Sequence, residues 1–482
     1  MDRRISATRT AGLLDGAAGQ SPAYLGISDG LRLLISDGRI VPGTQLPSER
    51  DLTDALGVSR TTVTRAYASL RDRGYLVSRR GSGHVARMPT AADPVDNLLS
   101  PGRTVTAGAS GQSVIDLTCA APVASPGIAA AYEAAVAALP RFLSGTGYYP
   151  SGLPVLRKAI AARYAERGLP TSPDQIIVTS GALGATAIAA RALTGTGDRV
   201  LVERPTYPNA MAALRRTGAR VVGVDLDRVG WDIDAVTSAV RSVQPTLMYL
   251  IPDFHNPTGA LMPAGQRRQL GAVLRDQGTV PLVDESLVEL MIDDAEMPPP
   301  FAATARQTIT IGSASKTFWG GLRIGWLRAR TGRIGELVSA RLSLDLGAPL
   351  LEQLALSELL RSRETILATR RADMRLARDT LVAALAEHLP DWTVTVPRGG
   401  LSLWCELPLP LSSALTTAAE AHGVLLAAGA SFAPDGRLER AIRVPFTRPP
   451  AELAAAAPRL SAAWADAQAR GSTARPRRAL VA

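Results

Sequence analysis

Cysteine is nearly absent: Cys119 and Cys405 are the only two in 482 residues. Two so far apart make neither a disulfide framework nor a cysteine-based metal site, so a reducing compartment and no metal centre are expected. No run of about 18 apolar residues occurs, which argues against a membrane-spanning helix. Met1-Asp2-Arg3-Arg4 leads into mixed polar sequence rather than the apolar stretch of a secretory signal. A cytoplasmic protein with no membrane partner is expected. Lysine is scarce as well, since of 53 lysines plus arginines only Lys158 and Lys316 are lysines. A composition that prefers arginine spares a lysine where guanidinium fails. A Schiff base is such a place, because it needs a primary amine that can lose its proton.

What is present is an ordinary globular composition, 46% apolar and 20% charged, in a chain too long for one core, since cores stop growing near roughly 250–300 residues. The net charge of +10 favours polyanionic partners. It is concentrated at Arg60, Arg65, Arg71, Arg73, Arg79, Arg80 and Arg87, opposed locally by Asp72 alone. Such an excess suits a phosphate backbone. Residues 1–22 lack a period and read as a flexible arm. Residues 23–88 read as one domain: short helices around Leu31–Ile35, Leu52–Leu56 and Thr61–Leu70, then a glycine-turned hairpin over Tyr75–Val85. Residues 89–113 read as a linker and 469–482 as a disordered tail. Between them, residues 114–468 alternate apolar strands with helices. The strands are expected at Gln175–Thr179, Arg199–Glu203, Arg220–Val224, Thr246–Ile251, Val280–Val283 and Thr308–Ile311, in an α/β domain with a mostly parallel sheet.

In the first domain, Leu46-Pro47-Ser48-Glu49-Arg50 is followed by Gly57-Val58-Ser59-Arg60-Thr61-Thr62-Val63-Thr64-Arg65-Ala66-Tyr67 and by Arg79-Arg80-Gly81-Ser82-Gly83. Ser59 is placed to cap a helix whose first turn offers a guanidinium and hydroxyls to a major groove. These segments resemble the winged helix-turn-helix of the GntR superfamily. The resemblance implies DNA contacts from Arg50, Ser59, Arg60, Thr61 and Arg65, and from the wing residues Arg80 and Gly81. Thr64 departs from it, because the superfamily often has arginine there.

In the second domain, Lys316 sits in Ser313-Ala314-Ser315-Lys316-Thr317, ahead of Gly320-Gly321-Leu322-Arg323-Ile324-Gly325-Trp326. The segment resembles the cofactor-lysine motif of fold type I proteins that carry pyridoxal 5′-phosphate (PLP). Lys316 would then form the Schiff base, while Ser313, Ser315 and Arg323 would hold phosphate. Lys158, in a helical run, reads as a surface residue. Asp284, at a strand end, is suited to pair with a pyridinium nitrogen. Ser180, Gly181 and Ala182, where strand passes to helix, offer a hydroxyl and amides to phosphate. By the same resemblance, Asn256 of Asn256-Pro257-Thr258-Gly259 would bond the ring hydroxyl and Tyr207 would stack on the ring. Arg443 would clamp a substrate or effector carboxylate as a bidentate fork. Ser286 departs from the pattern of related regulators, which usually have tyrosine there.

Together the halves resemble the MocR subfamily of GntR-type transcription regulators over about residues 24–460. The resemblance implies a homodimer that binds double-stranded operator DNA and responds to PLP or to an amino-acid or amine effector. The alternative is a working class I/II aminotransferase carrying a DNA-binding module.

Overall fold

A computed structural model describes residues 4–14, 16, 19, 21–79, 83–89, 114–227, 230–294 and 296–471. They divide into two compact units.

The first unit contains α1 (Ala7–Leu13), α2 (Ala23–Ser36), α3 (Glu49–Leu56), α4 (Arg60–Asp72) and the antiparallel pair β1 (Leu76–Arg79) and β2 (Gly83–Ala86). Ser48 and Ser59 begin α3 and α4 by accepting from the Asp51 and Thr62 amides, both at 3.2 Å. Gly57 ends α3 at φ 65°, a left-handed turn that glycine adopts without steric cost. Helix α4 buries Val63, Ala66, Tyr67 and Leu70, spaced as one helical face, against Ile27, Leu31 and Leu34 of α2. The Tyr67 hydroxyl donates to Pro47 O at 2.9 Å, so the one polar atom on that face is satisfied.

Two expectations need correction here. Residues 1–22 are not simply an arm, because Ser6 caps α1 and Thr10 and Leu14 are buried in the first unit. Nor does everything after residue 114 belong to the second domain. Ala124–Ala137, which include most of α5 (Ile128–Ala138), group with the first unit. The Asp37 carboxylate accepts from Ala129 N at 3.2 Å at the start of α5, and Arg32 pairs with Glu133 at 2.6 Å. The turn between strand ends 79 and 83, most of the linker and residues beyond 471 lie outside the described residues.

The second unit opens with β3 (Ile115–Asp116) and α6 (Pro154–Glu166), followed by β4 (Ile176–Thr179), α7 (Gly181–Leu193), β5 (Arg199–Arg204), α8 (Pro208–Arg215) and β6 (Arg220–Asp225). It continues through α9 (Ile233–Val243), β7 (Leu247–Leu250), α10 (Ala264–Asp276), β8 (Val280–Asp284), β9 (Ile309–Ser313) and β10 (Gly325–Arg328). Seven strands form one sheet in the order β4-β10-β9-β8-β7-β5-β6. All are parallel except β10, which runs against both neighbours. Strands such as Leu247–Leu250 are buried throughout, as in a sheet covered on both faces. Helices α11 (Thr331–Leu342), α12 (Leu350–Arg361) and α13 (Arg363–His388) lead to a second sheet. That sheet uses β11 (Thr393–Thr395), β12 (Ser402–Glu406), β14 (Ala427–Ala428) and β15 (Ala441–Pro445), with α14 (Ser412–Ala421) and α15 (Pro450–Arg470) packed on it, while β13 (Val424–Leu425) pairs with β3. No helix of the described residues is long and apolar enough to cross a membrane.

Candidate functional site

Parallel strands deliver their following loops to one edge of a sheet, and ligands bind where those loops meet. Here β4, β5, β7, β8 and β9 lead into Ser180, Tyr207, Asn256, Asp284 and Lys316. Because β10 runs the other way, it begins at that same edge and carries Arg323 there. A cavity of about 250 Å³ opens among these ends, lined in part by Lys316, Asp284, Asn256, Tyr207, Ser315 and Arg323. Ala182, Ser313 and Ser286 also reach it. Lys158, by contrast, is exposed on α6.

Lys316 is only partly exposed, and its ammonium donates to Ala120 O at 3.0 Å. Burial pushes its pKa down to about 8, and nearby Arg443 and Arg323 act in the same direction. Asp284 is buried: its Oδ1 accepts from Ser286 N and its Oδ2 from the Tyr249 hydroxyl, both at 2.8 Å. Burial raises its pKa, and the bonds from Ser286 and Tyr249 oppose that rise. The Tyr207 hydroxyl accepts from Asn209 Nδ2 at 3.0 Å, and burial raises its pKa.

The corner predicted to hold phosphate is built for close approach. Gly181 has φ +82°, and a Cβ there would lie 2.8 Å from the Arg323 guanidinium. A Cβ on Gly325 would meet Gly181 backbone at 2.5 Å, so only glycine lets β10 pass. Ser315 Oγ is buried beside this corner and has no hydrogen-bond partner among the described residues. An orphaned hydroxyl, an arginine and the start of α7 together fit an anion.

Arg443 stands one layer back, since it does not line the cavity in this structure. It is fully buried on β15, donating to Asn256 Oδ1 at 3.2 Å and Thr118 O at 2.6 Å, with its guanidinium 4.9 Å from the Phe432 ring centroid. Its Nε has no hydrogen-bond partner among the described residues, and burial pushes its pKa down to about 10. Sequence reasoning missed Tyr249 and the carbonyls of Thr118 and Ala120. Tyr249 sits in the apolar strand Leu247–Leu250 and reads there as core, and a carbonyl carries no residue-type signal.

On the first unit, Arg50, Ser59, Arg60, Thr61 and Arg65 are all exposed. Thr61 and Arg65 are four apart on α4 and share a face. Arg65 is also stacked on Tyr24, 4.1 Å from its centroid. Thr64 donates to Glu49 Oε2 at 2.7 Å, so its hydroxyl is engaged within the unit. Arg80 and Gly81 fall outside the described residues.

Residues 129–460 match aminotransferase class I and II, and residues 23–85 match bacterial regulatory proteins of the gntR family. The chain is 30% identical to the uncharacterized HTH-type transcriptional regulator YdcR of Escherichia coli, over 85% of this chain and 92% of that one. It is 29% identical to the HTH-type pyridoxine biosynthesis transcriptional regulator PdxR of Corynebacterium glutamicum, over 80% and 84%. Among solved structures, the α-aminoadipate aminotransferase LysN of Thermus thermophilus, complexed with N-(5′-phosphopyridoxyl)-L-leucine, matches 74% of this chain and 94% of its own with TM-score 0.69 and 28% identity. Fold and site therefore define a class, a gntR-type DNA-binding domain joined to an aminotransferase-type domain. The chain belongs to the MocR subfamily of GntR-type regulators and is a DNA-binding transcription regulator.

Proposed function

We propose that the second unit holds PLP on Lys316, and that PLP, or an amino compound exchanging onto it, controls operator binding by a cytoplasmic homodimer. The observation that carries this reading is the placement of Lys316. One of only two lysines in the chain, it enters a cavity shared with Asp284, Asn256, Tyr207 and Arg323. Bound PLP supplies an aldehyde that condenses with amines and a ring that draws electron density from them.

The residues divide the work. Lys316, held partly neutral by burial, supplies the amine. Asp284 offers a buried carboxylate to a ring nitrogen, and Asn256 a side-chain amide to the ring hydroxyl. Ser180, Gly181, Ala182, Ser313, Ser315 and Arg323 supply hydroxyls, amides and one cation to the phosphate. Arg443 favours an effector with a carboxylate, because a fully buried guanidinium with no carboxylate partner among the described residues gains from an anion. A second copy is supported by the exposed apolar side chains Leu143, Tyr148, Leu342, Leu344 and Leu346 of the second unit, which a partner surface would cover.

Borohydride reduction of the PLP-loaded protein, followed by peptide mapping, tests the site. The pyridoxyl label is expected on the peptide carrying Lys316 and is lost in Lys316→Ala, whose thermal unfolding profile stays close to that of the PLP-free wild type. A label on Lys158 overturns the assignment. Titrating amino acids and amines against the loaded protein tests the effector class. If none perturbs the cofactor spectrum while PLP alone changes operator affinity, the regulator senses PLP and Arg443 is structural.

A further inference from the structure

Tyr249 lies on β7 and is fully buried, and a phenol hydroxyl in such surroundings must find a partner. Its partner is not a backbone carbonyl but Asp284 Oδ2, at 2.8 Å on the adjacent strand β8. The other oxygen, Oδ1, takes the Ser286 amide at 2.8 Å. Both carboxylate oxygens are therefore held, one by the backbone and one by a side chain.

Other charges offer Asp284 little. No ion pair to it occurs among the described residues. The ionisable groups that face it and Tyr249 are Lys316 after β9, Tyr207 before α8 and Glu203 on β5. Of these only Lys316 can be a cation, and with its pKa brought down to about 8 by burial it is not a permanent one. A buried carboxylate without a fixed counter-ion tends to take up a proton, which would end its usefulness to a pyridinium. We propose that Tyr249 is a positioning residue, whose hydroxyl fixes the Asp284 carboxylate and keeps it ionised for the ring nitrogen of PLP, an inference that rests on the cofactor reading above. A phenol suits this task better than an imidazole. Burial holds the Tyr249 hydroxyl protonated well past the ordinary tyrosine range, so it remains a donor at every working pH.

The test compares wild type, Tyr249→Phe, Asp284→Asn and the double variant, each loaded with PLP, by following the absorbance of the Lys316-bound cofactor against pH. A ring nitrogen that loses its proton leaves more electron density on the linkage nitrogen and raises its proton affinity. Tyr249→Phe is therefore expected to keep the chromophore and move its titration midpoint up by about one pH unit, a tenfold change in proton affinity. Asp284→Asn should move it at least as far, and the double variant should match Asp284→Asn. A Phe variant that titrates like wild type overturns the proposal. So does a double variant shifted beyond Asp284→Asn by the full Tyr249→Phe increment, because Tyr249 would then act without Asp284. Absence of a borohydride-reducible chromophore in the wild type is a different failure: it sinks the cofactor reading and the proposal with it. Should the Phe variant not fold, 3-fluorotyrosine at position 249 preserves the hydroxyl. Its fluorine resonance must move when PLP binds, and an unmoved resonance overturns the inference.

Discussion

At Lys316 the useful property is a pKa brought down to about 8 by burial. A lysine at its usual value near 10.4 is neutral in only about four molecules in ten thousand at pH 7, whereas at about 8 roughly one in ten carries a free amine. Linkage to PLP requires that neutral form. Its initial rate in cofactor-free protein should rise about tenfold per pH unit below 8 and level off above it, as read by absorbance after rapid mixing. A rate still climbing past pH 10 would mean that the lysine is unperturbed. Gly181 presents the opposite case, a residue whose value is what it lacks. At φ +82° an alanine costs roughly 1–2 kcal/mol in backbone alone. Its methyl would also press on Arg323 at 2.8 Å. Gly181→Ala is expected to lower the unfolding midpoint and to weaken PLP binding at least tenfold by equilibrium dialysis. Loss of stability with unchanged affinity would remove the Gly181–Arg323 corner from the cofactor site.

Helix α4 is set by its cap and presents Arg60 and Thr61 in its first turn, and the two contributions can be separated. Ser59→Ala removes the side-chain acceptor for Thr62 N and should destabilise the protein by about 1 kcal/mol. Arg60, exposed, carries no such load, so Arg60→Ala should leave thermal unfolding unchanged. It should weaken specific operator binding by roughly 1–3 kcal/mol if it reads a base. A uniform loss across unrelated DNA would make it a phosphate contact. Elements of this kind were legible because serine caps, Gly57 and the spacing Val63, Ala66, Tyr67, Leu70 are local signals. The parallel strands were legible for the same reason, each being a short apolar run. Strand β10 was not, since Gly325–Arg328 is short and opens on a glycine kept for its approach to Gly181. Helix α1 was hidden by the glycines around it, and tertiary burial of Thr10 and Leu14 adds to the Ser6 cap in holding it. The grouping of Ala124–Ala137 with the first unit depends on Asp37 and Arg32, about 90–100 residues earlier. In the site, motif residues such as Lys316 and Asn256 stood out. Tyr249 and the carbonyl of Ala120 did not, because each acts through a neighbour that only folding supplies.

At the scale of the molecule, two binding functions share one chain, and thermodynamics constrains how they communicate. A ligand shifts operator affinity only if it binds the two conformational states of the regulator unequally, however tightly it binds. If PLP changes operator affinity by some factor, operator DNA must change PLP affinity by that same factor. Basic contacts to phosphates make DNA binding steeply salt-dependent, so both measurements belong in one buffer. Operator affinity is expected to differ between PLP-free and PLP-loaded wild type by about 5–150-fold, the ordinary range of such couplings. PLP titrated with and without saturating operator fragment should return the matching ratio. In Lys316→Ala the first ratio should collapse to one, with the operator affinity of the PLP-free protein retained, because the DNA-binding residues are untouched. Unequal ratios in the wild type would show that the loaded and free proteins differ in something besides conformation, such as assembly, and sedimentation at the same concentrations would reveal it. A Lys316→Ala protein that still responds fully to PLP would show that the covalent link to Lys316 is not what couples the cofactor to operator binding.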